Sequence, residues 1–101
     1  MNFMLSVEKI KNVISNLAPK YGIDRVYLFG SYARGEATDK SDVDIRIDHG
    51  KMHGLLEYGS FYADLEDEFH CHIDMLTTKQ LNKYFLSNIK KDEILIYERN
   101  G

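Results

Sequence analysis

The chain holds one cysteine, Cys71, and one proline, Pro19, in 101 residues. A single cysteine excludes an internal disulfide framework and fits a reducing compartment. Cys71 reads as a small packed apolar residue rather than a nucleophile. No apolar run approaches the ~20 residues that cross a bilayer. The start, Met1 to Leu5, runs into Glu8, Lys9 and Lys11 instead of a signal-peptide core. A cytoplasmic protein without membrane contact is expected. Excess basic charge is missing as well: the formal net charge is −3, which removes the global positive footprint of an extended nucleic-acid binder. There are no repeats, low-complexity tracts or linker-like stretches, and the seven glycines are scattered as punctuation. With 44% hydrophobic and 29% charged residues, a chain of this length is expected to form one domain around one core.

What is present is clear periodicity. Val7, Ile10, Val13, Ile14 and Leu17 recur at helical spacing, with Ser6 as N-cap and Leu5 placed to staple onto Ile10. Pro19 and Gly22 end or distort this helix near Lys20. Val26 to Phe29 is a short strand stopped by Gly30, and Tyr32 to Gly35 is one helical turn before the polar loop Glu36 to Ser41. From residue 42 to 48 the pattern alternates, with Val43, Ile45 and Ile47 on one face and Asp42, Asp44, Arg46 and Asp48 on the other. A loop from His49 to Gly54 precedes a helix marked by Leu55, Tyr58, Tyr62, Leu65 and Phe69. His72 to Leu76 is a third strand. Thr77 and Gln80 suggest a capping box for a helix through Leu81, Tyr84, Phe85 and Ile89, ending near Lys90 and Lys91. Ile94 to Tyr97 closes the chain as a strand. This order implies an α/β (α+β) domain, one mixed β-sheet with helices mainly on one face.

The chemistry is concentrated between residues 30 and 44. Gly30 lets the backbone approach a ligand closely, and Ser31 offers a hydroxyl and an N–H at a helix start. On a strand, Asp42 and Asp44 point the same way with Cα atoms ~6.6 Å apart. Such a pair suits hard divalent cations such as magnesium, which take carboxylate and phosphate oxygens together. Asp-x-Asp alone is also what a solvated strand face looks like. Asp74 adds a third carboxylate among apolar neighbours, where it either meets a metal or cation or faces solvent on an edge strand. Arg34, one helical turn beyond Ser31, divides equally between a phosphate contact and a surface arginine. Arg46 reads as a solvated strand-face residue, with a pairing to Asp44 or Asp48 or a substrate contact as the alternative. His70 and His72 flank Cys71 without zinc-ligand spacing or a second ligand pair. His49 and His53 read as loop histidines, with nucleotide contact as the alternative, and Tyr58, Phe61, Tyr62 and Phe69 as packing residues.

Phe29-Gly30-Ser31-Tyr32-Ala33-Arg34-Gly35 through Ser41-Asp42-Val43-Asp44-Ile45 resembles the signature of the DNA polymerase β-like nucleotidyltransferases: Gly-Ser, ten residues, then Asp-x-Asp. The chain is most similar to the minimal MNT-type members, the antitoxins of HEPN/MNT toxin–antitoxin pairs. The likeness continues through Ile73-Asp74-Met75-Leu76-Thr77 to the segment from Lys91 to Glu98. It implies the polymerase β-like nucleotidyltransferase fold in a single domain spanning residues 1–101. It makes Gly30 and Ser31 the triphosphate cradle and Asp42 and Asp44 the magnesium ligands. Asp74 becomes the third carboxylate, ligating a second metal or taking the proton of an attacking hydroxyl. Two magnesium ions and ATP as donor are implied, with in-line displacement at the α-phosphorus and pyrophosphate leaving.

The resemblance also points to the acceptor. A chain of 101 residues leaves little room for an acceptor-binding region, so a partner protein is expected: a HEPN-domain ribonuclease toxin, held in a hetero-oligomer, modified on a tyrosine and thereby inhibited. A non-catalytic antitoxin that blocks the toxin sterically is the competing expectation. A transferase acting on a small-molecule hydroxyl is the third.

Overall fold

The computed structural model of the protein describes residues 5–100. Met1 to Met4, which carry most of the N-terminal apolar stretch, and both ends of the expected 1–101 domain lie outside the described residues. Helix α1 (Val7–Leu17) starts where Ser6 Oγ accepts the Lys9 amide at 3.0 Å, as the N-cap expectation requires. Leu5 packs against the same core that buries Ile10. The helix passes into a 3₁₀ turn, Ala18–Tyr21, with Pro19 at its start and left-handed Gly22 at its end. Strand β1 (Arg25–Phe29) runs into the short helix α2 (Gly30–Arg34), and β2 (Val43–Asp48) follows the polar loop. Helix α3 (Leu55–Phe69) connects β2 to β3 (Ile73–Thr77), and helix α4 (Lys83–Lys90) leads into β4 (Ile94–Glu98).

The sheet order is β3-β2-β1-β4. Strand β1 pairs antiparallel with β2 and β4, while β2 and β3, joined through α3, are parallel. The sheet is therefore mixed. One face is the core: Val26, Leu28, Val43, Ile45, Ile47 and Ile73 pack against Ile10 and Ile14 of α1 and Phe61 and Leu65 of α3. Alternation sends the intervening residues, Tyr27, Phe29, Asp44, Arg46 and Asp74, to the opposite face. No helix of the described residues is long and apolar enough to cross a membrane.

Two expectations change. The residues Thr77 to Gln80 form no capping box; Thr78–Gln80 is a 3₁₀ turn, and α4 begins later, at Asn82, whose side chain accepts the Phe85 amide at 2.8 Å. Helix α4 buries none of its residues, and its Phe85 meets Phe29 edge-on, ring centroids 6.4 Å apart. The second correction is Arg46, which is only 4% exposed instead of solvated. Its guanidinium donates to both Glu93 carboxylate oxygens at 3.1 and 2.7 Å and to Thr78 Oγ1 at 2.8 Å, and it lies 3.9 Å over the Tyr27 ring. Burial of the cation is compensated by these partners.

Candidate active site

The register of the parallel pair builds the site. Val43 is aligned with Ile73 and Asp44 with Asp74, and the Val43 amide donates to the His72 carbonyl at 3.0 Å. Residues 42 and 44 of one strand therefore stand beside residues 72 and 74 of the next, all four off the core face. Neighbouring strands lie about 4.8 Å apart and same-face residues about 6.6 Å apart along a strand. The result is a two-by-two array of Asp42, Asp44, His72 and Asp74. One ligand atom each of Asp42, His72 and Asp74 falls within 4.8 Å of the others.

Asp44 is the half-buried corner of the array. Burial, then a hydrogen bond with Asp74, then the charges of Asp74 and Asp42 push its carboxyl up to about 6, while Arg34 acts in the opposite direction. Carboxylates this close repel one another, and a hard divalent cation with oxygen ligands is the counter-charge that fits them. Asp42 and Asp74 are half-exposed, so such an ion would keep access to water and to phosphate oxygens.

Gly30 closes the array from β1. Phe29 is the register partner of Asp44, and the chain turns at Gly30 with φ +74°. A Cβ on Gly30 would stand 3.0 Å from Asp44 Cγ, so the close approach that the sequence attributed to a ligand is first of all an approach to Asp44. Ser31 follows in the first turn of α2, where backbone N–H groups lack intrahelical acceptors. The loop back to β2 is fixed by Ser41 Oγ, which accepts the Thr38 amide at 2.8 Å. This holds Asp42 at the strand entrance.

The remaining residues separate clearly. Arg34 is half-exposed and bonded to Glu36 through Nε at 2.6 Å, yet near enough to act on Asp44. His49 and His53 lie beyond the far end of β2, roughly 15 Å of strand away from Asp44, where they line a pocket of about 290 Å³ with Tyr58 and Lys79. The structure keeps them away from the carboxylates. His70 ends α3 in the left-handed conformation, its amide donating to the Glu66 carbonyl at 2.9 Å. Burial raises the Cys71 thiol above its ordinary value, which disfavours the thiolate. Phe61 and Phe69 are core residues, and the Tyr58 hydroxyl donates to the Met75 carbonyl at 2.6 Å. His72 is the site neighbour that sequence reasoning passed over: its Nδ1 is 3.5 Å from Asp42 Oδ2 and 3.8 Å from Asp74 Oδ1. Its even-numbered parity with Asp74 on the same strand was the available signal.

The sequence profile of the family described as "Polymerase beta, Nucleotidyltransferase" matches residues 8–101. The chain belongs to the polymerase β nucleotidyltransferase family. Among relatives of this nucleotidyltransferase, a candidate protein adenylyltransferase of Methanocaldococcus jannaschii, MJ1379, is 33% identical, the match covering 92% of this chain and all of that protein. The protein adenylyltransferase MntA of Thermococcus cleftensis is 27% identical, over 92% of this chain and 98% of MntA. Among solved structures, a candidate minimal nucleotidyltransferase superposes with a TM-score of 0.76 at 25% identity, covering 89% of this chain and 95% of that one. A toxin–antitoxin complex with AMP-PNP gives 0.75 at 17% identity, over 89% of this chain and 74% of that one. The MNT antitoxin bound to tri-AMPylated HEPN toxin of Shewanella oneidensis gives 0.66 at 15% identity, over 88% and 70%. These last two share the nucleotidyltransferase fold.

Proposed function

We propose that this nucleotidyltransferase moves AMP from ATP onto a tyrosine hydroxyl of a HEPN ribonuclease toxin and so acts as its antitoxin. The observation that carries the reading is the convergence of Asp42, Asp44 and Asp74 beside Gly30. A surface that only binds a partner has no physical need for three repelling carboxylates around a glycine turn. The adenylyltransferase names of the relatives and the toxin-bound antitoxins of the same fold support the protein acceptor.

In this reading Gly30 and Ser31 seat the triphosphate, and Arg34 reaches one of its oxygens from the edge. Asp42 and Asp44 would hold magnesium, with Asp74 completing a second position or accepting the proton of the incoming hydroxyl. Bound magnesium would neutralise phosphate charge and lower the hydroxyl's pKa. The tyrosine oxygen forms the new bond to the α-phosphorus as the bond to the bridging oxygen breaks, and pyrophosphate leaves in line. Positioning and charge complementarity supply most of the rate.

The test uses the chain purified with a HEPN ribonuclease, ATP and magnesium. Mass spectrometry is expected to find AMP on a toxin tyrosine and loss of ribonuclease activity, both abolished by Asp42→Asn with Asp44→Asn. An unmodified toxin that is still neutralised would overturn transfer and leave a steric antitoxin.

A further inference from the structure

His72 faces Asp42 across the strand pair as Asp74 faces Asp44, and it has no part in the family-based reading above. Its ring is 59% exposed, and Nδ1 points between two carboxylates. The separations of 3.5 and 3.8 Å are too long for direct charged hydrogen bonds, which run about 2.7–2.9 Å. They have the spacing of ligands on one ion. Donors about 2.1 Å from a shared cation lie about 3.0 Å apart when adjacent and about 4.2 Å apart when opposite. Both separations fall inside that interval, and small rotations of the exposed side chains would bring all three ligand atoms, now within 4.8 Å of one another, onto one ion. The placement is secured by the backbone, since the hydrogen bond from the Val43 amide to the His72 carbonyl locks the two strand entrances side by side.

We propose that His72 is a nitrogen ligand of a divalent cation held between Asp42 and Asp74, and that it turns this position from magnesium towards first-row transition ions. An imidazole nitrogen adds little for magnesium, which prefers oxygen, while transition ions gain from it. The inference rests on the metal-dependent reading of the site, and the experiment separates the two.

The probe is Mn²⁺, alone and with a methylene-bridged ATP analogue, read by electron spin-echo modulation, which detects directly bound ¹⁴N. The wild-type protein is expected to give a coordinated ¹⁴N signal that disappears in His72→Gln and in His72→Ala. In His72→Gln the Zn²⁺ affinity is expected to fall at least about tenfold while the Mg²⁺ affinity changes by less than about threefold. The side chain is exposed, so an unchanged circular dichroism spectrum is expected to accompany the loss. Mn²⁺ binding without ¹⁴N coupling, or equal losses for both ions, would overturn the assignment of His72. If Asp42→Asn still abolished Mn²⁺ binding in that case, the carboxylate site would stand without the histidine. A wild-type protein that took up no Mn²⁺ in either condition would overturn both.

Discussion

Gly30 and Asp44 occupy one another's space: the Cβ that Gly30 lacks would overlap the Asp44 carboxylate, with Cγ 3.0 Å away. The backbone conformation makes the same demand, because φ is +74°. A substitution here meets a steric and a conformational penalty together. Gly30→Ala is expected to lower stability by about 1–2 kcal/mol and to reduce AMP transfer far more than that loss explains, because Asp44 must move. Thermal melts beside single-turnover transfer would measure both. Full transfer in a destabilised variant would mean that the position of Asp44 is unimportant.

The raised pKa of Asp44 gives a pH dependence with a definite sign. Its folded value of about 6 lies above the unfolded value of about 3.9, so the native state binds more protons across this window. The contribution of this group to stability is therefore greatest below the unfolded value and is lost as pH rises through 6. In chelator, Asp44→Asn is expected to melt above the wild type at pH 7, and the gap should narrow by pH 5. Magnesium should stabilise the wild type more at pH 7 than at pH 5. A pH-independent gap in calorimetry would contradict this.

The ion pair of Arg46 with Glu93 ties the segment after α4 to the open face of the sheet. Removing the carboxylate leaves a buried guanidinium without its main partner. Glu93→Ala is expected to cost about 3 kcal/mol or more in urea unfolding. Replacing both by apolar residues, Arg46→Met with Glu93→Leu, should cost less than Glu93→Ala alone. The reverse order would show that the pair contributes through something other than charge compensation.

Arg34 sits between two assignments that kinetics can separate. Arg34→Met removes a charge that bonds Glu36 and acts on Asp44. Loss of a charge-assisted phosphate contact is expected to raise the KM for ATP about tenfold, with stability changed by less than about 0.5 kcal/mol. An unchanged KM and kcat would make Arg34 a surface partner of Glu36 and nothing more.

Elements governed by near neighbours were legible before any fold was known. Ser6 capped α1, Pro19 and Gly22 ended it, and strand alternation sorted Val43, Ile45 and Ile47 from Asp42 and Asp44. Hydrogen bonding within a turn and the two-residue period of a strand depend on a few consecutive residues. The misplaced capping box has the same locality: Thr77 begins only the 3₁₀ turn Thr78–Gln80, and Asn82 caps α4.

Arg46 and His72 were illegible because their partners are remote in the chain. Polar alternation marked Arg46 as solvated, and nothing near it announced that Glu93 would fold back over it. Nothing near His72 announced that β3 would lie parallel to β2 in the register that sets it beside Asp42.

The order of elements, the Gly-Ser turn and the shared facing of Asp42 and Asp44 followed from the amino acids alone, because backbone periodicity carries that information locally. Joining Asp74 to that pair and bringing His72 beside them required β2 and β3 to pair across helix α3, and burying Arg46 required Glu93 to return from beyond α4. Those contacts form only when the whole sheet closes over the core of α1 and α3, so no window of the sequence could contain them.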